Sequence, residues 1–284
     1  MASVAIVHHP LRQAAAGRAV ETAKWLVERG HEVRVPEADA TGTHLSEHAW
    51  PLDKLVGGLD LAVSLGGDGT MLRTVDLVAG AGVPVLGVNV GHLGYLTAVE
   101  PAGLGAALER FLSGDFSIEA RLTLLVEVSG AEGRSSWTAL NEVVLEKTVP
   151  GNTVRLALGL GGERFTTCAA DGLIVSTPTG STAYNLSARG PIVSPQQRAL
   201  VVTPVAPHML FDRSLVLSAE EWVSVEVVDG PDAAMVVDGR SLAVLEPGDA
   251  AVCRAGPHDA LFVTFDDGRD FHQILKAKFG LAER

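Results

Sequence analysis

Helix-spaced and strand-length apolar segments alternate through the first 115 residues, and then the alternation stops. Residues 3–7 (SVAIV) read as a buried strand. Residues 13–29 read as a helix with Ala19, Ala23, Leu26 and Val27 on one face and Gly30 as its stop, and 32–35 as a second strand. A polar loop over about 37–51 leads to a third strand at 61–65. A helix at 70–80, a fourth strand at 83–90 and a helix at 101–113 follow. Such alternation predicts an open α/β domain with a parallel sheet. From about 116, short runs rich in Val, Leu and Ile recur at 118–128, 135–146, 153–159, 172–176, 200–204, 222–228, 233–238 and 250–254, with one helical segment at about 180–189. This half reads as β-rich and sandwich-like. The tail, LFVTF and then DGRDFHQILKAKFG, returns to strand and helix and is expected to pack back on the first domain. The expected division is therefore 1–115 with the tail 260–284, an α/β nucleotide-binding domain, and 116–259, a β-rich domain. With 47% hydrophobic residues among 284, the chain can fill two cores.

The glycine-rich turns carry the chemistry. In LAVSLGGDGTMLR (61–73) an apolar strand runs into Gly66, Gly67, Asp68, Gly69 and Thr70 ahead of a helix. Such a turn cradles phosphate through free N–H groups and the positive end of the helix dipole, yet this one carries a carboxylate. It matches neither G-x-x-x-x-G-K-[ST] nor G-x-G-x-x-G. Asp68 is read either as a helix N-cap or as a group that handles a proton or a metal beside a bound phosphate, with Arg73 one turn in to offset phosphate charge. A second glycine-rich turn, GVNVGHLGYL (87–96), follows the next strand. Both are expected at the carboxyl edge of the sheet, where open α/β domains bind ligands. Asn141-Glu142 interrupts the apolar run ALNEVVLE, so one of the pair must point into a core or a site. In DGLIVSTPTGSTAYNLS (171–187) an apolar strand empties into a cluster of hydroxyls and a helix start, more than one cap requires.

Other signals exclude functions. The net charge of −12 and the scattered basic residues argue against nucleic-acid backbones and membrane surfaces as partners. The N-terminus reads as a strand and not as a signal peptide. The two cysteines, Cys168 and Cys253, form no disulfide framework and are expected to be reduced thiols in a cytoplasmic protein. His44-Leu45-Ser46-Glu47-His48 fits a zinc-peptidase pattern but lies between Gly42 and Pro51, where no stable helix is expected.

Together, GGDGT at 66–70, GVNVGHLGYL at 87–96, NE at 141–142, the block 171–195, TPVAPH at 203–208 and VDGR at 237–240 resemble the NAD kinase family. GGDGT alone is shared with diacylglycerol and sphingosine kinases. The long block after NE is the specific part. The resemblance implies an α/β domain followed by a β-rich NAD-binding domain, with the site between them. It implies transfer of a phosphoryl group from ATP, or in some members polyphosphate, to the 2′-hydroxyl of the adenosine ribose of NAD, with Mg²⁺ whose protein ligands stay unassigned. By position Asp68 would be the general base. Gly66, Gly67, Gly69 and Thr70 would hold the donor phosphates, and Gly69 and Arg73 would line the same turn. Asn141 and Glu142 would hold NAD hydroxyls, and Asp171 the nicotinamide end. Thr182, Ala183, Tyr184, Asn185, Leu186 and Ser187 would frame the adenine side, with Arg155 and Arg240 as polar NAD contacts. A homodimer or homotetramer, with site residues contributed across an interface, is implied as well.

Overall fold

The computed structural model describes residues 1–91, 94–97, 99–130, 133–209, 212–266, 268 and 270–281. The chain divides into two compact units, Met1–Ala120 with Ala260–Arg284, and Arg121–Asp259.

In the first unit the chain runs β1 (Ser3–His8), α1 (Gln13–Glu28), β2 (Glu32–Pro36), α2 (Glu37–Ala40), β3 (Ala49–Trp50), α3 (Leu52–Leu55), β4 (Leu61–Gly66), α4 (Asp68–Val78), β5 (Val85–Asn89), α5 (Leu104–Ser113) and β6 (Ser117–Arg121). The sheet order is β3-β2-β1-β4-β5-β19-β6, where β19 is Ala260–Thr264 from the tail. The pairs from β3 through β19 are parallel. The tail thus returns to the first unit, as anticipated, and α7 (Phe271–Phe279) closes it with a capping box between Asp270 and Gln273. β1, β4 and β5 are almost wholly buried, as a doubly covered parallel sheet requires. Ala19, Ala23 and Leu26 of α1 join this core, with Ile6, Val63 and Leu86 of the sheet.

Three expectations need correction here. Val27 is 47% exposed, because it lies one position off the Ala19–Ala23–Leu26 stripe. The stretch 37–51 is not a plain loop: it holds α2, a 3₁₀ turn at Ser46–His48 and the edge strand β3. There Arg34 lies over the Trp50 ring and Asp39 is buried, so tertiary partners order a polar sequence. The change of rhythm read at 116 comes one strand before the division, because β6 is the edge strand of the first sheet.

The second unit is antiparallel throughout its recorded pairings: β7 (Leu124–Gly130), β8 (Gly133–Ala139), β9 (Glu142–Lys147), β10 (Val154–Leu160), β11 (Glu163–Ala170), β12 (Gly172–Ser176), α6 (Tyr184–Ser187), β13 (Ala199–Val205), β14 (Leu215–Ser218), β15 (Trp222–Asp229), β16 (Ala233–Val237), β17 (Arg240–Leu245) and β18 (Ala250–Ala255). One sheet is ordered β11-β10-β15-β18-β7-β8, the other β14-β13-β12-β9-β16-β17. Alternate residues of both, among them Leu124, Val126, Leu156, Leu158, Val143, Leu145, Leu173 and Val175, fill one shared core. That is a sandwich. The helix expected at 180–189 is instead a 3₁₀ turn (Thr179–Thr182) and the four-residue α6, parted at Ala183, whose φ of −95° and ψ of −127° are non-helical.

Candidate active site

The order β2-β1-β4 in the first sheet creates a switch point: the chain leaves β1 toward one side and β4 toward the other. Ligands of open α/β sheets bind in the crevice outside the carboxyl ends of such strands. β1 ends at His8 and β4 at Gly66, and the helices that follow them begin at Gln13 and Asp68. A recess of about 390 Å³ opens there, lined by His9, Pro10, Arg12, Gly67, Asp68, Gly69, Thr70 and Arg73.

The glycines of this turn serve different ends. A Cβ on Gly66 would collide with the Thr70 side chain, so Gly66 packs the turn onto its own helix. A Cβ on Gly67 or Gly69 would meet nothing within 4 Å. Protein packing places no demand on these two, which leaves room for a ligand to come close to the backbone. The N-cap of α4 is Gly67, and no side chain caps the helix, so the capping reading of Asp68 fails. The Asp68 carboxylate instead accepts from the N–H groups of Tyr95 and Leu96, both at 3.0 Å. A Cβ on Gly94 would collide with that carboxylate. The two glycine-rich turns are therefore in direct contact through Asp68. His92 and Leu93 of the second turn lie outside the described residues. Burial, and then the Asp68 charge, raise the Tyr95 hydroxyl above its usual range.

Arg73 is not free to meet a phosphate with its whole fork. It donates to both carboxylate oxygens of buried Asp39 (2.8 and 2.7 Å) and to the His8 carbonyl (2.6 Å). Asp39 also accepts from the His8 N–H at 3.2 Å. This pair ties α2, β1 and α4 together under the recess. Arg12, not singled out in the sequence, donates to the Val90 carbonyl at 2.7 Å and lines the same recess. The only clue was its place just before a helix at the end of the first strand.

In the second unit the NE motif and the hydroxyl cluster come together. Antiparallel pairing sets Ser176 opposite Glu142 and Gly172 opposite Glu146. Val143, Leu145, Leu173 and Val175 face the sandwich core, so Glu142, Glu146 and Ser176 lie on the other face. Asn141 and Glu142 are both buried, at 9% and 7% exposure. Burial, and then the nearby Asp238 charge, push the Glu142 carboxyl up to about 8, while the Tyr184 N–H opposes this. The Tyr184 hydroxyl is raised too, by burial first and then by the charges of Glu146, Asp171 and Glu142. Its ring is 38% exposed amid these groups.

The block 182–187 splits by role. Asn185 is fully buried: its amide donates to the Ser181 and Pro191 carbonyls (both 3.0 Å) and accepts from Thr203 Oγ1 at 2.7 Å. Its hydrogen bonds are spent within the fold. A Cβ on Gly190 would collide with it. Tyr184 and Ser187 are exposed, and Thr182, Ala183 and Leu186 are half-buried. Asp171 accepts from Lys147 Nζ at 2.6 Å at the far end of β12 from Ser176. Arg240 opens β17, next to the Asp238-Gly239 turn. Arg155 is on β10, in the other sheet, paired with Asp229 at 2.7 Å, and is not gathered with the rest. Among the described residues no group of three or more His, Cys, Asp and Glu could hold a metal ion, the 44–48 pattern included. No helix among them is long and apolar enough to cross a membrane. Cys168 and Cys253 are free and buried.

Comparison with known proteins adds the family. Residues 4–116 match the ATP-NAD kinase N-terminal domain and residues 140–265 the ATP-NAD kinase C-terminal domain. The chain is 37% identical to an NAD kinase of Geobacter sulfurreducens, covering 100% of this chain and 99% of that one. It is 36% identical to an NAD kinase of Syntrophotalea carbinolica over 92% of each. Among solved structures, yeast NADH kinase complexed with NADH superposes with a TM-score of 0.91 at 24% identity, covering 100% of this chain and 89% of that one. An NAD kinase from Archaeoglobus fulgidus in complex with ATP gives 0.72 at 24% identity, covering 98% and 97%. At that identity these two bear on the fold. With matches to both domain models and relatives spanning nearly its whole length, the chain belongs to the NAD kinase family and is a kinase.

Proposed function

We propose that the protein phosphorylates the 2′-hydroxyl of the adenosine ribose of NAD, with ATP as donor and Asp68 as general base. The observation that carries this reading is the placement of Asp68: a carboxylate in a phosphate-type recess, with no capping duty, held by two N–H groups. In the reaction Asp68 takes the hydroxyl proton as the ribose oxygen forms its bond to the γ-phosphorus. The bond from that phosphorus to the β,γ-bridging oxygen breaks, and ADP leaves with the electron pair. Such transfer depends on positioning and electrostatics, not on a covalent nucleophile.

The N–H groups at the start of α4, with Gly67 and Gly69 open to the recess, receive donor phosphates. Arg12 adds positive charge at the rim. The recess fits a Mg²⁺ carried mainly by phosphate oxygens, since such ions use one or two carboxylates beside the phosphates and Asp68 is the carboxylate in its lining. There the ion would offset the charge between Asp68 and the donor. Inorganic polyphosphate offers the same row of oxygens and is the second donor to assay.

On the second unit, Asn141, Glu142 and Tyr184 bind NAD, with Thr182, Ala183, Leu186 and Ser187 shaping the adenine side and Asn185 bracing them. Asp171 and Arg240 border the same face. Arg155 is assigned no contact with NAD bound to its own chain. The homologous complexes with NADH and with ATP support both ligand classes. An oligomeric, cytoplasmic enzyme is part of the same reading. The test is NADP formation from NAD, Mg²⁺ and either ATP or polyphosphate, read with an NADP-specific dehydrogenase. Failure with both donors overturns the reading.

A further inference from the structure

Asp238 is the hub of a hydrogen-bond set that the NE motif depends on. It occupies the first position of the two-residue turn between β16 and β17, where Val237 pairs with Arg240. Its φ is 46° and that of Gly239 is 78°, the signs of a type I′ hairpin turn. The turn alone would accept Asn, Asp or Gly. What asks for a carboxylate is the neighbouring backbone. Asp238 Oδ2 accepts from the Leu140 N–H at 2.7 Å, and Oδ1 accepts from Asn141 and Glu142 at 2.8 and 3.0 Å. The three carbonyls of the same stretch are also taken. Leu140 O accepts from Thr177 Oγ1, Asn141 O from the Thr177 N–H and Ser176 Oγ, and Glu142 O from the Asp238 N–H. The three backbone N–H groups of residues 140–142 are therefore all spent within the fold and each carbonyl already has a partner, so the motif presents chiefly its side chains. One of them, Glu142 Oε2, is buried without any protein partner.

We propose that Asp238 is a positioning residue of the NAD site: it fixes the backbone of residues 140–142, thereby aims the Asn141 and Glu142 side chains at bound NAD, and couples NAD binding to pH through the Glu142 carboxyl. This rests on the reading that Asn141 and Glu142 bind NAD. The groups that bear on Glu142 are Asp238 from the β16–β17 turn, which opposes its ionisation, and the Tyr184 N–H from α6, which favours it, while the Tyr184 hydroxyl feels the Glu142 charge. Glu146 and Asp171 act on Tyr184 in turn, and Arg240 acts on Asp238. With burial and Asp238 both opposing ionisation, Glu142 carries its proton at neutral pH. Its partnerless oxygen then offers an O–H to an acceptor on the nucleotide. Loss of that proton near pH 8 removes the donor and places a negative charge beside an anionic ligand.

The test is steady-state kinetics of Asp238→Asn with NAD varied across pH 6 to 9.5. Asn-Gly is a preferred type I′ pair, so the hairpin is retained. The amide keeps one acceptor but sets an NH₂ against the Leu140 N–H. Expected results are a KM for NAD raised about tenfold, by the loss of one charge-assisted hydrogen bond. Turnover and the KM for ATP should stay within about threefold, as for loss of uniform binding. In the parent, KM for NAD should rise as pH passes about 8. That rise should move to lower pH in Asp238→Asn, because a repelling charge is gone, and vanish in Glu142→Gln. Asp238→Gly, which also suits the turn, should raise KM at least as much. An unmoved KM and pH midpoint in both Asp238 variants overturn the proposal, as does an equal loss for both substrates. If instead Asn141→Ala leaves the KM for NAD unchanged, the NAD assignment itself fails, and this proposal with it.

Discussion

At the scale of single residues, Asp68 carries the sharpest expectation. Asp68→Asn keeps the size and at least one acceptor for the Tyr95 and Leu96 N–H groups but cannot take a proton. General-base catalysis contributes roughly 10²–10⁴-fold, so kcat should fall by about two to four orders of magnitude while NAD binding by calorimetry persists. Turnover within about threefold of the parent would make Asp68 a spectator. Tyr184 should behave in the opposite way. Its half-exposed ring offers stacking area used equally before and during the reaction, so Tyr184→Ala should raise KM for NAD with little change in kcat; a fall in kcat alone would refute that role. Glu142 gives a stability test. Its acid is raised from 4.5 to about 8, so the stability from its bound proton is complete below pH 4.5 and is lost as pH rises toward 8. Chemical denaturation at pH 5 and pH 9 should show Glu142→Gln gaining on the parent at the higher pH. A constant difference would show that Glu142 ionises normally. The sequence marked Asp68, Asn141, Glu142 and Tyr184 through motif and local chemistry. It could not show that Asp238 holds Asn141 and Glu142, because the contact spans 96 or more positions. Nor could it show that Arg73 is engaged by Asp39 and that Asn185 is a buried brace.

At the scale of elements, the contact between the two glycine-rich turns is the testable joint. Gly94→Ala would push a methyl into the Asp68 carboxylate. Overpacking of this kind costs about 1–3 kcal/mol. A thermal melt should register the loss, and activity should fall further than the melt explains because Asp68 is displaced. Normal activity would show that the second turn yields freely. Elements with a strong period were legible: β1, α1, β4, β5, α5 and most of the sandwich strands. In the first unit the short α2, β3 and α3 were missed, and the single runs 118–128 and 135–146 each hold two strands, β6 with β7 and β8 with β9. The sandwich strands missed altogether, β11, β14 and β17, are outer strands of their sheets. β11 and β17 mix polar with apolar residues, which dilutes the apolar run, and β14 is only four residues long. The helix at 180–189 failed for a local reason, since Ala183 breaks its geometry.

At the scale of the whole molecule, the sandwich ends in edge strands that expose apolar side chains. Phe165 on β11 is 48% exposed and Val216 on β14 is 55% exposed. Edges of that kind are usually covered. Light scattering at micromolar concentration should give a dimer or tetramer mass, and a monomer mass would count against the oligomer. The sequence by itself determined the two kinds of unit, since hydrophobic period selects helix or strand locally. It also determined the glycine turns, because only certain residues allow close backbone approach. The tertiary structure alone decided that the returning tail strand β19 lies between β5 and β6 in the first sheet, that Asp68 is pinned by the second turn, and that the NE motif hangs on Asp238. Each of these depends on pairing between distant segments, and pairing is set by the closing of loops and the filling of a core, which no local pattern encodes.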